Sequence, residues 1–128
     1  VTDVVTDVEA DDVEPQLTGP IVTEYQVERA LSFLRDSAAE VGLAKGEMIR
    51  AGHMIKVQLA LSMKLCDPGL SAVKAEVEAR ASEAYLQRVE DDAIACAEYE
   101  KLRALRDAAA LKIEVWRSSS ANYRAMKV

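Results

Sequence analysis

From Ser71 to Val128 the chain contains neither glycine nor proline, and this constrains its fold more than any other feature. The stretch is crowded with Ala, Glu, Lys, Arg and Leu, the strongest helix formers. Uninterrupted, a helix of that length would span roughly 85 Å at 1.5 Å per residue. A break is expected around "ARASEAY" (79–85) or at Ser118-Ser119-Ser120, where three poor helix formers meet. An apolar stripe follows Tyr85, Val89, Ala93, Cys96, Tyr99, Leu102, Leu105, Ala109, Ile113 and Trp116, then Tyr123. Its consecutive steps of three between Cys96 and Leu105 make it drift around the helix.

A second helical pattern precedes it. Thr23 is a plausible N-cap and Glu24 suits the positive end of the helix dipole. Apolar or small residues then alternate in steps of four and three through Val27, Leu31, Leu34, Ala38 and Val41, resuming at Met48, Gly52, Ile55 and Leu59; only Lys45 interrupts. This seven-residue repeat belongs to helices that pack on helices. Gly42, Gly46 and Gly52 fall inside it and either mark a close helix–helix approach or let the helix bend; Gly52, on the stripe itself, favours close approach. "CDPGL" (66–70) ends the helix, because Pro68 cannot continue it and Gly69 supplies a turn. Ser71 can cap the next. The expected fold is all-α: a long antiparallel hairpin with coiled-coil-like heptads, a helix over about 23–65, a turn at 66–70 and a helix or broken helix over about 71–128. Its self-association would use Leu31, Leu34, Val41, Met48, Ile55, Leu59, Leu102, Ile113, Trp116 and Tyr123.

Composition supports association. Half of the 128 residues are apolar, but there is a single Phe and a single Trp. Small side chains bury little area each, at roughly 25 cal/mol per Å², so one copy has a thin core. No apolar run approaches the ~18 residues of a membrane span, and the N-terminus lacks the pattern of a signal peptide. Cys66 and Cys96 stand apart in a chain with one histidine, which argues against a zinc site. Their isolation fits a reducing cytoplasm. No nucleotide-binding, hydrolase or metalloprotease motif occurs; the expectation is a protein without catalytic residues, cofactor or metal.

The net charge of −6 conceals an asymmetry. Residues 1–28 hold eight acids and no Lys or Arg, whereas 101–128 hold seven basic residues against Asp107 and Glu114. The opening "VTDVVTDVEADDVEPQLTGP" reads as a mobile acidic arm over 1–22, which either solvates the protein or docks onto a basic surface. In the last helix Arg103, Arg117 and Arg124 share a heptad position, with Arg106 and Lys127 three residues further along. Arg50, Lys56 and Lys64, with His53, form a looser band on the first. Basic side chains beside Trp116 and Tyr123 are what a single-strand binder needs, cations for phosphates and flat rings for bases. Cations near a helix C-terminus are also favoured by its dipole, and aromatic residues on an apolar stripe also build helix seams. Both readings stand at this point.

"LRDAAALKIEVWRSSSANYRA" resembles the C-terminal helix of phage recombination mediator proteins of the UvsY type, with Arg106, Ile113, Trp116 and Arg117 at the matching positions. The order of elements is similar as well: a polar N-terminal segment, a long helix, a linker and a final long helix. The acidic arm and the lower Lys/Arg density of the first helix depart from that pattern. The resemblance implies a ring-forming homo-oligomer that binds single-stranded DNA and assists a RecA-like recombinase or an annealing protein on DNA covered by single-strand-binding protein. Two other classes fit the residues: a structural or assembly coiled-coil protein, and an inhibitor whose acidic arm mimics DNA.

Overall fold

The computed structural model describes residues 21–127, with side chains to 126. The first twenty residues, which hold nearly all of the expected acidic arm, lie outside the described residues. Val22, assigned to the end of that arm, is buried. Every described element is an α-helix: α1 (Glu24–Asp36), α2 (Ala38–Lys64), α3 (Ala72–Arg80) and α4 (Glu83–Lys127). The described residues divide into two compact units, one of 21–32 with 109–127 and one of Phe33–Ala108.

In the first unit a reciprocal cap starts α1. Thr23 N–H donates to Gln26 Oε1 at 2.9 Å, and Gln26 N–H donates to Thr23 Oγ1 at 3.2 Å, so two N-terminal donors are satisfied together. Val27 and Ala30 are buried one turn on. On α4, Ala109 is buried and Ile113, Trp116 and Ser120 are half-buried at helical spacing. Ser118, Ser119 and Ser120 do not break α4.

In the second unit the single helix expected over 23–65 is interrupted at Ser37. The backbone ladder still passes through it, from Ser37 N–H to Phe33 O and from Val41 N–H to Ser37 O, both 2.9 Å. The Ser37 hydroxyl also donates to Phe33 O, a back-bond that bends helices. Ser37 is only 2% exposed. Arg106 of α4 completes the site: its Nη1 donates to Ser37 Oγ and to Leu34 O, each at 2.7 Å.

The other end of α2 is tied by a second serine pair. Ser62 Oγ lies 3.2 Å from Ser82 Oγ and accepts from Gln58 Nε2 at 3.1 Å. Midway, a Cβ on Gly52 would meet Asp92 Oδ1 at 3.8 Å. As α2 advances from 37 through 52 to 62, its partners on α4 and its leading turn retreat from 106 through 92 to 82; the two run antiparallel within this unit. The glycines do not mark close approach. The Gly52 distance is ordinary van der Waals contact, and Gly42 and Gly46 face open space.

Between them the chain turns at 65–71. Asp67 Oδ1 accepts from Gly69 N–H at 2.8 Å, and Leu70 N–H donates to Asp67 O at 3.0 Å. Ser71 caps α3 by accepting from Lys74 N–H. Ala75 and Ala79, buried on one side of α3, allow it to lie against α2. The break expected in 79–85 falls at Ala81-Ser82. There Ser82 Oγ donates to Ala79 O at 2.7 Å and accepts from Tyr85 N–H at 3.3 Å, ending one helix and capping the next. Arg80 spans the break, donating to Glu76 Oε1 at 2.9 Å and to Tyr85 Oη at 3.0 Å.

Candidate functional site

The charged and apolar residues singled out by the sequence separate once their surroundings are known. Arg106 is engaged inside the second unit, where its guanidinium holds Ser37 and Leu34. Arg103 is exposed, with Glu100 at 3.9 Å; Arg117 is exposed, with Glu114 at 3.1 Å. Each acid precedes its arginine by three residues on the same helix. Such exposed pairs are worth at most about 1 kcal/mol, so both guanidinium groups remain open to a competing anion. Arg124 is exposed. Lys127 ends α4, and its side chain lies outside the described residues. On α2, Arg50 pairs with Glu47 at 3.8 Å, while His53, Lys56 and Lys64 are exposed.

The residues expected at an oligomer seam divide as well. Val41, Met48, Ile55 and Leu59 are half-buried on α2, and Leu102 is buried on α4. Leu34, Ile113 and Trp116 are half-buried; Leu31 and Tyr123 are exposed. The buried apolar set of the described residues is small: Val22, Val27, Ala30, Ala75, Ala79, Leu102 and Ala109. Leu102 is its one large side chain.

The larger apolar groups lie outside. Leu43 is 74% exposed and Leu65 87%, and between them Val57 and Leu61 are also exposed. With half-buried Met54, these residues form a second ridge on α2, 43–(47)–(50)–54–57–61, in alternating steps of four and three, and Leu65 at the C-cap extends it. The first repeat on α2 masked it: one helix carries both patterns, and the second is interrupted by Glu47 and Arg50. Two hollows of about 300 and 390 Å³ adjoin this ridge where α2 passes α4. They share Glu47, Asp91 and Ala95.

Two thiols complete the chemically distinctive groups. Cys66 Sγ donates to Ser62 O at 3.4 Å and to Ala75 O at 3.6 Å. Burial, reinforced by the Glu78 carboxylate, pushes this thiol above its ordinary range. Cys96 donates to Asp92 Oδ1 at 3.9 Å, and burial, then Asp92, raises it likewise. Thiols held protonated are poor nucleophiles. Among the described residues no group of three or more His, Cys, Asp or Glu is arranged to hold a metal ion, and no helix is long and apolar enough to cross a membrane. Compared with protein-family models, curated proteins and solved structures, the chain matches none.

Proposed function

We propose that this protein is a self-assembling helical hairpin, with α1–α2 and α3–α4 as its arms and outward-facing heptads as its association surface. The observation that carries this reading is the inversion of side-chain size. Alanine and valine fill most of the buried apolar set, while Leu43, Val57, Leu61, Ile94, Leu105 and Leu111 are exposed. Fully burying an exposed Leu, Val or Ile side chain contributes about 1.5–3 kcal/mol, so covering these residues against another copy adds burial that the thin interior does not supply. Mass determination across a range of protein concentrations tests the proposal. A species that stays at 14.0 kDa at every concentration rejects it.

The ligand we assign to the assembly is single-stranded DNA, held by Arg117 and Arg124. These arginines stand seven residues, two helical turns, apart on α4 and are both exposed, a spacing that repeated copies would extend into a row of cations along a phosphate backbone. Arg103 repeats the same heptad position. Assistance to a RecA-like recombinase or an annealing protein, in the manner of the mediator proteins whose last helix this one resembles, is the role we propose for that binding. Its test is a labelled oligonucleotide at low salt: R117A/R124A should abolish salt-sensitive binding and leave the oligomer's mass unchanged. If the unsubstituted protein leaves the oligonucleotide unbound, the DNA reading is wrong while the assembly reading stands.

A further inference from the structure

The outer ridge of α2 carries a charge order that selects its own partner. From Leu43 to Met54 the ridge reads apolar, negative, positive, apolar: Leu43, Glu47, Arg50, Met54. Reversed and laid against itself, this sequence pairs Leu43 with Met54 and Glu47 with Arg50, each of them twice. Laid parallel and in register, it sets Glu47 against Glu47 and Arg50 against Arg50, and like charges in contact disfavour that arrangement. Glu47 and Arg50 already approach to 3.8 Å within one helix, and both side chains are mostly exposed, so both are available at the same surface.

The neighbouring relief suits a helix. Ala44 and Ala51 of α2 and Ala95 of α4 line the hollows beside the ridge, and small side chains there permit a second helix to approach closely. Ile94, 60% exposed, stands at one end as an apolar wall. The charges around the hollows are also ordered. Glu47 and Asp91 line both hollows; Glu98 adds a third acid beside Leu43, whereas Arg50 and Arg88 balance the two acids beside Met54. A two-fold axis brings the acidic hollow of one copy to the arginine-bearing hollow of the other.

We infer that α2 of a second copy occupies this groove, antiparallel and related by a two-fold axis between positions 47 and 50, with reciprocal Glu47–Arg50 pairs between copies. The inference rests on the self-assembly reading and specifies the face and register of one contact within it, the one that covers Leu43 and Met54. An isologous contact of this kind closes on itself, so it forms the pairwise step of any larger assembly.

Charge reversal in the full chain tests the register, with helicity by circular dichroism confirming that each variant folds. E47R and R50E singly should each weaken the dimer by roughly tenfold or more, because each sets like charges together twice. E47R/R50E restores opposite pairs and should return to near the original dissociation constant. A covalent test is independent of charge. With Cys66 and Cys96 replaced by Ser, L43C/M54C should form a disulfide-linked dimer under mild oxidation, and L43C alone should not. Positions 43 and 54 of one helix are about 16 Å apart at 1.5 Å per residue, beyond the reach of a disulfide, so any bond joins two copies. A chain that self-associates with a dissociation constant indifferent to both reversals overturns this interface and leaves self-assembly intact. A chain that remains monomeric throughout overturns both.

Discussion

The two faces of α2 use the same spacing to different ends. On the inner face Val41, Met48, Ile55 and Leu59 are half-buried, and serine hydroxyls at either end tie the unit together through Arg106 and Ser82. On the outer face Leu43, Met54, Val57, Leu61 and Leu65 repeat the pattern around two opposite charges, and all but Met54 are exposed. Heptad spacing therefore says that a helix has a partner, but not whether that partner belongs to the same chain. The placement of polar groups separates the faces: the inner one has side chains satisfied within the unit, and the outer one carries Glu47 and Arg50, which pair within α2 and stay mostly exposed.

Breaking the inner face should have the largest effect on stability. R106A removes two hydrogen bonds from a charged donor and leaves Leu34 O and the buried Ser37 hydroxyl without it. The expected loss is about 2–3 kcal/mol, seen as a lower urea midpoint, and an unchanged midpoint would show that the tie contributes nothing. Next come the glycines. Gly42 and Gly46 meet no atom that an added methyl would displace, so G42A and G46A should each raise stability by about 0.5–1 kcal/mol. A loss instead would mean that these positions bend or pack in solution. On the outer face, L43K should change the denaturation of dilute protein by no more than about 0.5 kcal/mol, yet suppress association at higher concentration. Equal damage to both properties would erase the distinction between the faces.

The thiols give the smallest expected effect. The folded state raises the thiol of Cys66 above its unfolded value. The associated stability is therefore fully present below the unfolded thiol's range and declines as pH rises through the folded one. Alkylation of Cys66 should be slower in the folded than in the urea-unfolded chain near pH 8, and the gap should narrow at higher pH. Equal rates at pH 8 would contradict the protonated thiol described here.

Much of the helical framework was legible in the sequence because its signals are local. The caps at Thr23 and Ser71, the Asp-Pro-Gly turn and a break within 79–85 each depend on residues a few positions apart. The departures have longer-range causes. Ser118, Ser119 and Ser120 look like a helix breaker, yet their propensity penalty is at most a few tenths of a kcal/mol each, and α4 continues through them. Ser37 looks less disruptive, but it interrupts the helix where its back-bond to Phe33 coincides with a guanidinium from 69 positions further along the chain. The same contact explains why Arg106, in line with the exposed cations when read as a pattern, belongs to the inner face. The two basic groups expected to bind DNA most directly, Arg117 and Arg124, carry a local signal of charge and spacing, and charge alone does not name a ligand.

The two serine ties also determine how this protein can change shape. Displacing α2 lengthwise by one turn would separate Ser37 from Arg106 at one end and Ser62 from Ser82 at the other, breaking both side-chain ties that set the α2–α4 register. Sliding is therefore blocked at both ends like a bar held by two keys. Flexing at Ser37 meets a different restraint: the backbone ladder passes through that residue, and Arg106 alone holds Leu34 O and Ser37 Oγ together across the interruption. A change of angle there needs only the Arg106 tie to give, with the α2–α4 register preserved.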